Sequence, residues 1–436
     1  VVMKRLNVLA IMLIVTGIAW GQSYKRLEQQ AQKGEATARE LYMLGDHYHG
    51  KKDYEKAAYW MRLAAEKGET SAIINMGDYY FYGEGVPYDV QTAVSWWKKI
   101  AKSSELARLR LGMQYCKESG YPLDLNKAIS FWEHEANKDN FIAQYSLGIC
   151  YYEGVPLQLM PDYEKAVFWL LKSSERDYEP ARKALARCFY EGKGMKHNFM
   201  EAIHLWERVH DAESAYNLGK CYELGTGVMR DSSAANNWYV TAVREGSVRA
   251  MYLLGYRHRR GENISKDVKQ AVGYYEQLLA VPDSLFSKTD LPLKTFAKLE
   301  LATIYGYGEG GVRLDVQKAS HLLEGLAKDF MFADEVSVLL GDIHYEDGAR
   351  GTQGSYEKAV SFLEKAKSSD ESNVHAAAAF LFAKCYRFGR GVPQDVAKAD
   401  KLLKEAVSYG WGKFSSVSEL VPTFKIEHTW PMPAGF

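Results

Sequence analysis

The chain has 436 residues, 47% of them apolar and 25% charged, which excludes a disordered chain and leaves room for a large core or several domains. Lys plus Arg equal Asp plus Glu at 55 each, and no basic run breaks the balance, so nothing in the charge directs the chain to nucleic acid. Tyr at 30 and Trp at 10 are the counts that need a structural reason.

The first element is a leader. Lys4 and Arg5 precede an apolar stretch, Leu6 to Trp20, and Ala19-Trp20-Gly21 places small residues where a signal peptidase reads. Residues 1–21 therefore read as a signal peptide, with Met3 as the start and Gln22 first in the mature chain. A membrane anchor is the alternative, but the stretch is shorter than the roughly 20 residues that span a bilayer. No Cys near the junction marks a lipoprotein, and no other apolar run is long enough to span. The expected location is periplasmic or secreted, with no membrane span after cleavage.

Then one phrase returns ten times: LGDHY (44–48), MGDYY (76–80), LGMQY (111–115), LGICY (147–151), LARCF (185–189), LGKCY (218–222), LGYRH (254–258), LATIY (301–305), LGDIH (340–344) and FAKCY (382–386). From Gly45 to its counterpart Ala383 the mean period is about 38 residues, the scale of stacked helical repeats. Each phrase is followed by a capping residue with Ala four places later. The pairs are Asp53/Ala57, Asp89/Ala93, Asp124/Ala128, Asp162/Ala166, Asn198/Ala202, Asp231/Ala235, Asp267/Ala271, Asp315/Ala319, Ser355/Ala359 and Asp395/Ala399. Asp, Asn and Ser accept an orphan N–H of a first helical turn. Each repeat therefore reads as two helices, and the small Ala marks their closest approach.

A glycine run separates the two helices: YGEGV (82–86), EGKGM (191–195), LGTGV (224–228) and FGRGV (388–392). Glycine stops the first helix because it enters the left-handed region without a Cβ clash. Residues 306–311, GYGEGG, have the G-x-G-x-x-G spacing of a dinucleotide loop through Gly306, Gly308 and Gly311, with Asp329 placed for a ribose. Such a loop must follow a strand. This one follows the helical phrase LELATIY in the turn slot of repeat eight, so no cofactor is expected.

Together these phrases resemble the Sel-one-like repeat family, a relative of the tetratricopeptide repeats; the clearest copies are residues 214–246 and 74–101. The resemblance covers about residues 24–410 and implies an all-α, right-handed αα superhelical solenoid of about ten helix pairs over residues 39–410. Residues 22–38 then read as an N-terminal capping half-repeat. The repeats at either side of residues 281–296 are joined by an irregular link, PDSLFSKTDLP (282–292). Residues 411–436 form a Pro-bearing tail outside the repeats, expected either to cover the last apolar face or to bind a partner.

The chemical signals are thin. Trp60, Trp96, Trp97, Trp132, Trp169, Trp206 and Trp238 fall three or four residues after the repeat Ala, on one helix face, and read as core. Cys150, Cys188, Cys221 and Cys385 share one slot in stacked repeats about 10 Å apart, too far for a disulfide, which needs Cα atoms within about 7 Å. Cys116 is shifted by one place, and a bridge from it stays open. His47 and His49 diverge on their helix, no C-x-x-C or H-E-x-x-H occurs, and His204 and His210 read as ordinary helical residues, so no metal site is expected. Ser95-x-x-Lys98 and Ser355-x-x-Lys358 match the nucleophile motif of penicillin-binding enzymes, but S-D-N and K-T-G are absent.

What remains is a surface. In tetratricopeptide-like folds the first helix of each pair lines the concave side. That groove would hold Tyr42, Tyr145, Tyr216 and Tyr252 as a ladder, either for binding or for packing. Phe81, Tyr82, Tyr152, Tyr190 and Tyr256 lie beside it, and Arg187, Lys220, Arg259, Lys384 and Arg387 add charge. Aromatics and Arg dominate interface hot spots, so these residues form the expected site. The resemblance implies a non-enzymatic scaffold that holds a protein partner, in one version an immunity protein for a secreted toxin. The alternative is a cell-envelope protein or enzyme acting on peptidoglycan or a β-lactam.

Overall fold

The computed structural model describes residues 23–116, 124–154, 159–326, 333–367, 369 and 372–411. The fold class is the all-α solenoid of helix pairs that the repeat implies, and no strand occurs among the described residues. The leader, Cys116's side chain, Asp329 and the tail beyond Trp411 lie outside the described residues.

Two compact units divide the chain at Val209 and His210. The first begins with α1 (23–32). Its first helices, termed A, are α2 (Ala38–Gly50), α4 (Thr70–Tyr82), α6 (Glu105–Cys116), α8 (Phe141–Glu153) and α10 (Glu179–Glu191). Its second helices, termed B, are α3 (Tyr54–Glu66), α5 (Val90–Ile100), α7 (Leu125–Ala136), α9 (Tyr163–Ser174) and α11 (Phe199–Glu207). In the second unit the A helices are α12 (Ala212–Leu224), α14 (Val248–Arg260), α16 (Pro292–Tyr307), α18 (Ala333–Ala349) and α20 (Ser372–Phe388). The B helices are α13 (Ser232–Arg244), α15 (Val268–Ala280), α17 (Val316–Glu324), α19 (Ser355–Ala366) and α21 (Val396–Ser408). Within each unit every A helix packs on its own B helix, and each B helix on the next A helix.

The B helices start where the capping residues place them. Asp53, Asp89, Asp124, Asp162, Asn198, Asp231, Asp267, Asp315 and Asp395 each accept a backbone N–H of the first turn. Repeat nine is the exception. Gly354 is the N-cap there, and Ser355, expected to cap, is the first helical residue and donates its hydroxyl to Asp347 Oδ2 at 2.6 Å.

The repeat glycine inside the A helix has a packing role. A Cβ on Gly77 would lie 2.2 Å from Trp97 Nε1, so the missing side chain is the seat of the indole. Trp97 is fully buried and donates to the Ile74 carbonyl at 3.3 Å. Glycine costs a helix interior about 1 kcal/mol relative to Ala; burying an indole offsets this. Trp60, Trp132, Trp169 and Trp206 are buried as expected, while Trp96 and Trp238 are half-buried.

The paired turn glycines divide their work. Gly83 ends α4 as a left-handed C-cap at φ 71°. Gly85, also left-handed at φ 68°, sits against the preceding repeat: a Cβ there would lie 2.0 Å from the Tyr54 carbonyl oxygen. The turn thus closes onto the start of the previous B helix. In the GYGEGG segment Gly306 lies within α16, Gly308 is its C-cap, and Gly310 abuts Val268.

Candidate partner-binding surface

The expected site residues lie on A helices or at their ends, and the structure divides them by burial. In the first unit Tyr42 is half-buried on α2. Phe81 is half-buried at the end of α4, edge-on to Tyr82 with ring centroids 5.0 Å apart, and Tyr82 is 62% exposed. Tyr145 on α8 packs edge-on against Tyr178 with centroids 5.3 Å apart. Tyr190 on α10 packs on Phe199 and Trp206 of its own B helix, each at 5.5 Å.

Tyr152 and Arg187 form one group. Tyr152 is buried, and the Arg187 guanidinium from α10 lies 4.3 Å from its ring centroid. Its hydroxyl donates to Glu191 and accepts from Lys193 Nζ at 3.3 Å. Burial, aided by Glu191, pushes the Tyr152 hydroxyl up to about 12. Burial would raise the Glu191 carboxyl too, but its bonds from Lys193 and Tyr152 hold it below the usual range. This group is a clamp between consecutive A helices.

In the second unit two members of the expected tyrosine ladder are packing residues. Tyr216 is buried against Tyr239 at 5.4 Å, and burial pushes its hydroxyl up to about 12. Tyr252 is half-buried between Tyr275 at 5.9 Å and Phe296 at 6.2 Å. Lys220 and Tyr256 are half-buried; burial lowers the Lys220 ammonium, and Arg260 lies 5.6 Å from the Tyr256 ring.

Arg259, expected on an open surface, is a correction. It is 6% exposed and bonds to Glu300, itself buried on α16, and to Glu309 at 2.7 Å. Its charge is consumed inside the fold because two acids from the next repeat meet it there. Tyr152 and Tyr216 are corrected likewise: each ring fills space between helices and offers a partner little area. Lys384 is half-buried, 4.2 Å from the Tyr345 ring and 3.4 Å from Glu346. Arg387 is exposed and pairs with Asp400 of α21.

Three exposed apolar side chains share one position in the repeat. Tyr82, Leu224 and Phe388 are each the last residue of an A helix before the left-handed glycine, and they are 62%, 46% and 58% exposed. The sequence reading included Tyr82 and missed the other two, although the shared place in the repeat was visible.

The remaining chemical signals have structural places. Cys150, Cys188, Cys221 and Cys385 are buried. Ser95 donates to the Thr92 carbonyl at 2.7 Å. Among the described residues no helix is long and apolar enough to cross a membrane.

The chain matches the Sel1 repeat over residues 38–69, 70–104, 106–133, 142–178, 180–208, 212–247, 248–279, 295–324, 338–370 and 375–408. It belongs to the Sel1 repeat family. It is 22% identical over 250 residues to the chitin synthase regulator SKT5 of Saccharomyces cerevisiae, covering 56% of this chain and 32% of that one. It is 32% identical over 273 residues to HRD3B of Arabidopsis thaliana, an ERAD-associated E3 ubiquitin-protein ligase component, covering 58% of this chain and 42% of that one. The chain spans less than half the length of these relatives. Among solved structures, a Sel1 repeat protein from Oxalobacter formigenes is 26% identical with a TM-score of 0.55, covering 72% of this chain and 89% of that one. The c5321 protective antigen of uropathogenic Escherichia coli, described as an SLR fold, is 22% identical with a TM-score of 0.53, covering 91% and 93%.

Proposed function

We propose that this chain is a non-catalytic scaffold that binds a protein partner along its A helices. The observation that carries the reading is the set of half-buried or exposed aromatic and cationic side chains on A helices of each unit: Tyr42, Phe81, Tyr82, Tyr145, Arg187 and Tyr190 in the first, Lys220, Tyr256, Lys384 and Arg387 in the second. A rigid helix face bearing aromatic and cationic groups suits hot-spot binding of another protein. The relatives named as a regulator and as a ligase component support an adaptor role. Export through the leader would place that partner in the periplasm or outside the cell, and an immunity protein for a secreted toxin is the specific form we propose.

A photo-crosslinking residue at Tyr145, Lys220 or Tyr256, compared with Arg62 and Lys404 on B helices, tests the surface. Adducts at the A-helix positions are expected; adducts confined to Arg62 and Lys404 would move the site to the B helices. Sequencing of the mature N-terminus tests export, with Gln22 the expected first residue.

A further inference from the structure

A recurring pair links the two helices of a repeat. A lysine just before the repeat alanine lies over the tyrosine that ends the A-helix phrase. The distances to the ring centroids are 5.1 Å for Lys56 and Tyr48, 5.6 Å for Lys127 and Tyr115, 5.3 Å for Lys165 and Tyr151, 4.1 Å for Lys318 and Tyr305, and 3.9 Å for Lys398 and Tyr386. Three of these lysines also pair with their N-cap aspartates, Asp53, Asp124 and Asp162. Such a lysine has its charge met twice, by a ring face and by a carboxylate.

Repeat nine keeps the lysine, Lys358, and loses both partners. The tyrosine slot holds His344, and α19 is capped by Gly354. Lys358 is exposed, and among the described residues it makes no ion pair. His344 is only 6% exposed; its Nε2 lies 3.1 Å from the Ser320 hydroxyl, and its Nδ1 has no hydrogen-bond partner.

The adjoining repeat leaves space at the same place. Ser320 stands where α5, α9 and α11 have Val94, Val167 and Ile203. The result is an open cavity of about 1000 Å³ lined by Ser320, His344, Ser355 and Lys358, with Arg313 from the turn before α17. Arg313 too is exposed and makes no ion pair among the described residues. Of the acids lining the cavity, Asp315 caps α17, and Asp347 accepts from Thr352 at 2.9 Å and Ser355 at 2.6 Å. Glu324 is the third acid of the lining, which also holds Arg313, Lys358 and Lys365.

We propose that this cavity is an anion-binding site for a small phosphate- or carboxylate-bearing molecule. Lys358 and Arg313 supply charge at the mouth, and His344 and Ser320 supply hydrogen bonds at the floor. Charge-assisted bonds to an anion restore what the lysine holds in the other repeats. A buried imidazole nitrogen without a partner is costly, and a ligand oxygen or hydroxyl would satisfy it.

Calorimetric titration of the full chain with inorganic phosphate and, separately, with succinate, at ionic strength fixed with chloride, tests the site. Saturable binding of either is expected; phosphate alone assigns a phosphate ligand, and succinate alone a carboxylate. Lys358→Gln alters an exposed side chain and should weaken binding about tenfold or more with an unchanged melting temperature. His344→Tyr installs the ring found in most of the other repeats and should also weaken binding. If neither anion binds, or if Lys358→Gln binds as tightly as the parent, the site does not exist.

Discussion

The Arg187 guanidinium on α10 lies 4.3 Å from the ring centroid of Tyr152 on α8. The same relationship recurs at Lys384 on α20, 4.2 Å from the Tyr345 ring on α18. In both cases the cation follows the repeat's small residue by one place, and the tyrosine follows the small residue of the previous repeat by four. These side chains hold neighbouring A helices in register. Arg187→Ala should therefore cost about 1 kcal/mol in urea unfolding, the scale of a cation–π contact.

Arg259→Ala should cost more, about 3 kcal/mol or above, because it strands Glu300, only 3% exposed, without its ion-pair partner. A double replacement, Arg259→Met with Glu300→Leu, should recover most of that loss, since apolar groups of similar size need no partner. A cost for the double variant equal to that of the single one would show that the ion pair is not the source.

Gly83→Ala and Gly85→Ala separate conformation from space. At Gly83 the nearest atoms to an added Cβ are 3.5 Å away, so only the left-handed backbone resists, at about 1–2 kcal/mol. At Gly85 the Cβ would also meet the Tyr54 carbonyl oxygen at 2.0 Å, so the turn must lift off the previous helix. Unfolding midpoints should fall further for Gly85→Ala, by a total of roughly 3 kcal/mol or more.

The buried cysteines should be chemically silent. Burial pushes the thiols of Cys188 and Cys385 up to about 11 and that of Cys221 up to about 12. Thiolate is the reactive form, so a thiol reagent at neutral pH should label these three slowly in the native protein and fully in denaturant. Fast native labelling would contradict their burial.

Asp342 gives a pH signature. Burial pushes its carboxyl above the usual range, and the hydrogen bond from Tyr307 and the nearby Lys384 only partly offset this. A folded-state value above the unfolded one means that the native protein binds more protons in that interval. The contribution is present in full below the unfolded value of about 3.9 and is lost as pH rises through the folded one. Asp342→Asn should flatten stability over that window and raise it near neutral pH, as read from urea midpoints across the range.

Trp411 packs on the last repeat. Trp411 is 8% exposed and stacks on Phe380 of α20 with ring centroids 4.5 Å apart. Trp411→Ala should cost about 3 kcal/mol and speed amide exchange in α20 and α21 while leaving α12–α14 protected.

The sequence by itself determined the helix pairs, their limits and their order. Asp53 or Asp395 caps a helix through its own side chain, Gly83 stops one through its own backbone, and Trp97 recurs at a fixed distance from its alanine; each is a local property written in residue type and spacing. The same local rules separated GYGEGG from a nucleotide loop, because what precedes it is helical. Which side chains stay available to a partner was decided only by tertiary structure. Arg259 and Arg187 both look like surface cations in their phrases, but Arg259 meets Glu300 and Glu309, which lie 41 and 50 residues later in the chain. The cavity beside His344 likewise depends on Ser320 and Lys358, which belong to different repeats and come together only when helices stack. Spacing within a repeat fixes a side chain's direction from its own helix, while its burial and partners depend on the facing helix, whose residues no local pattern specifies.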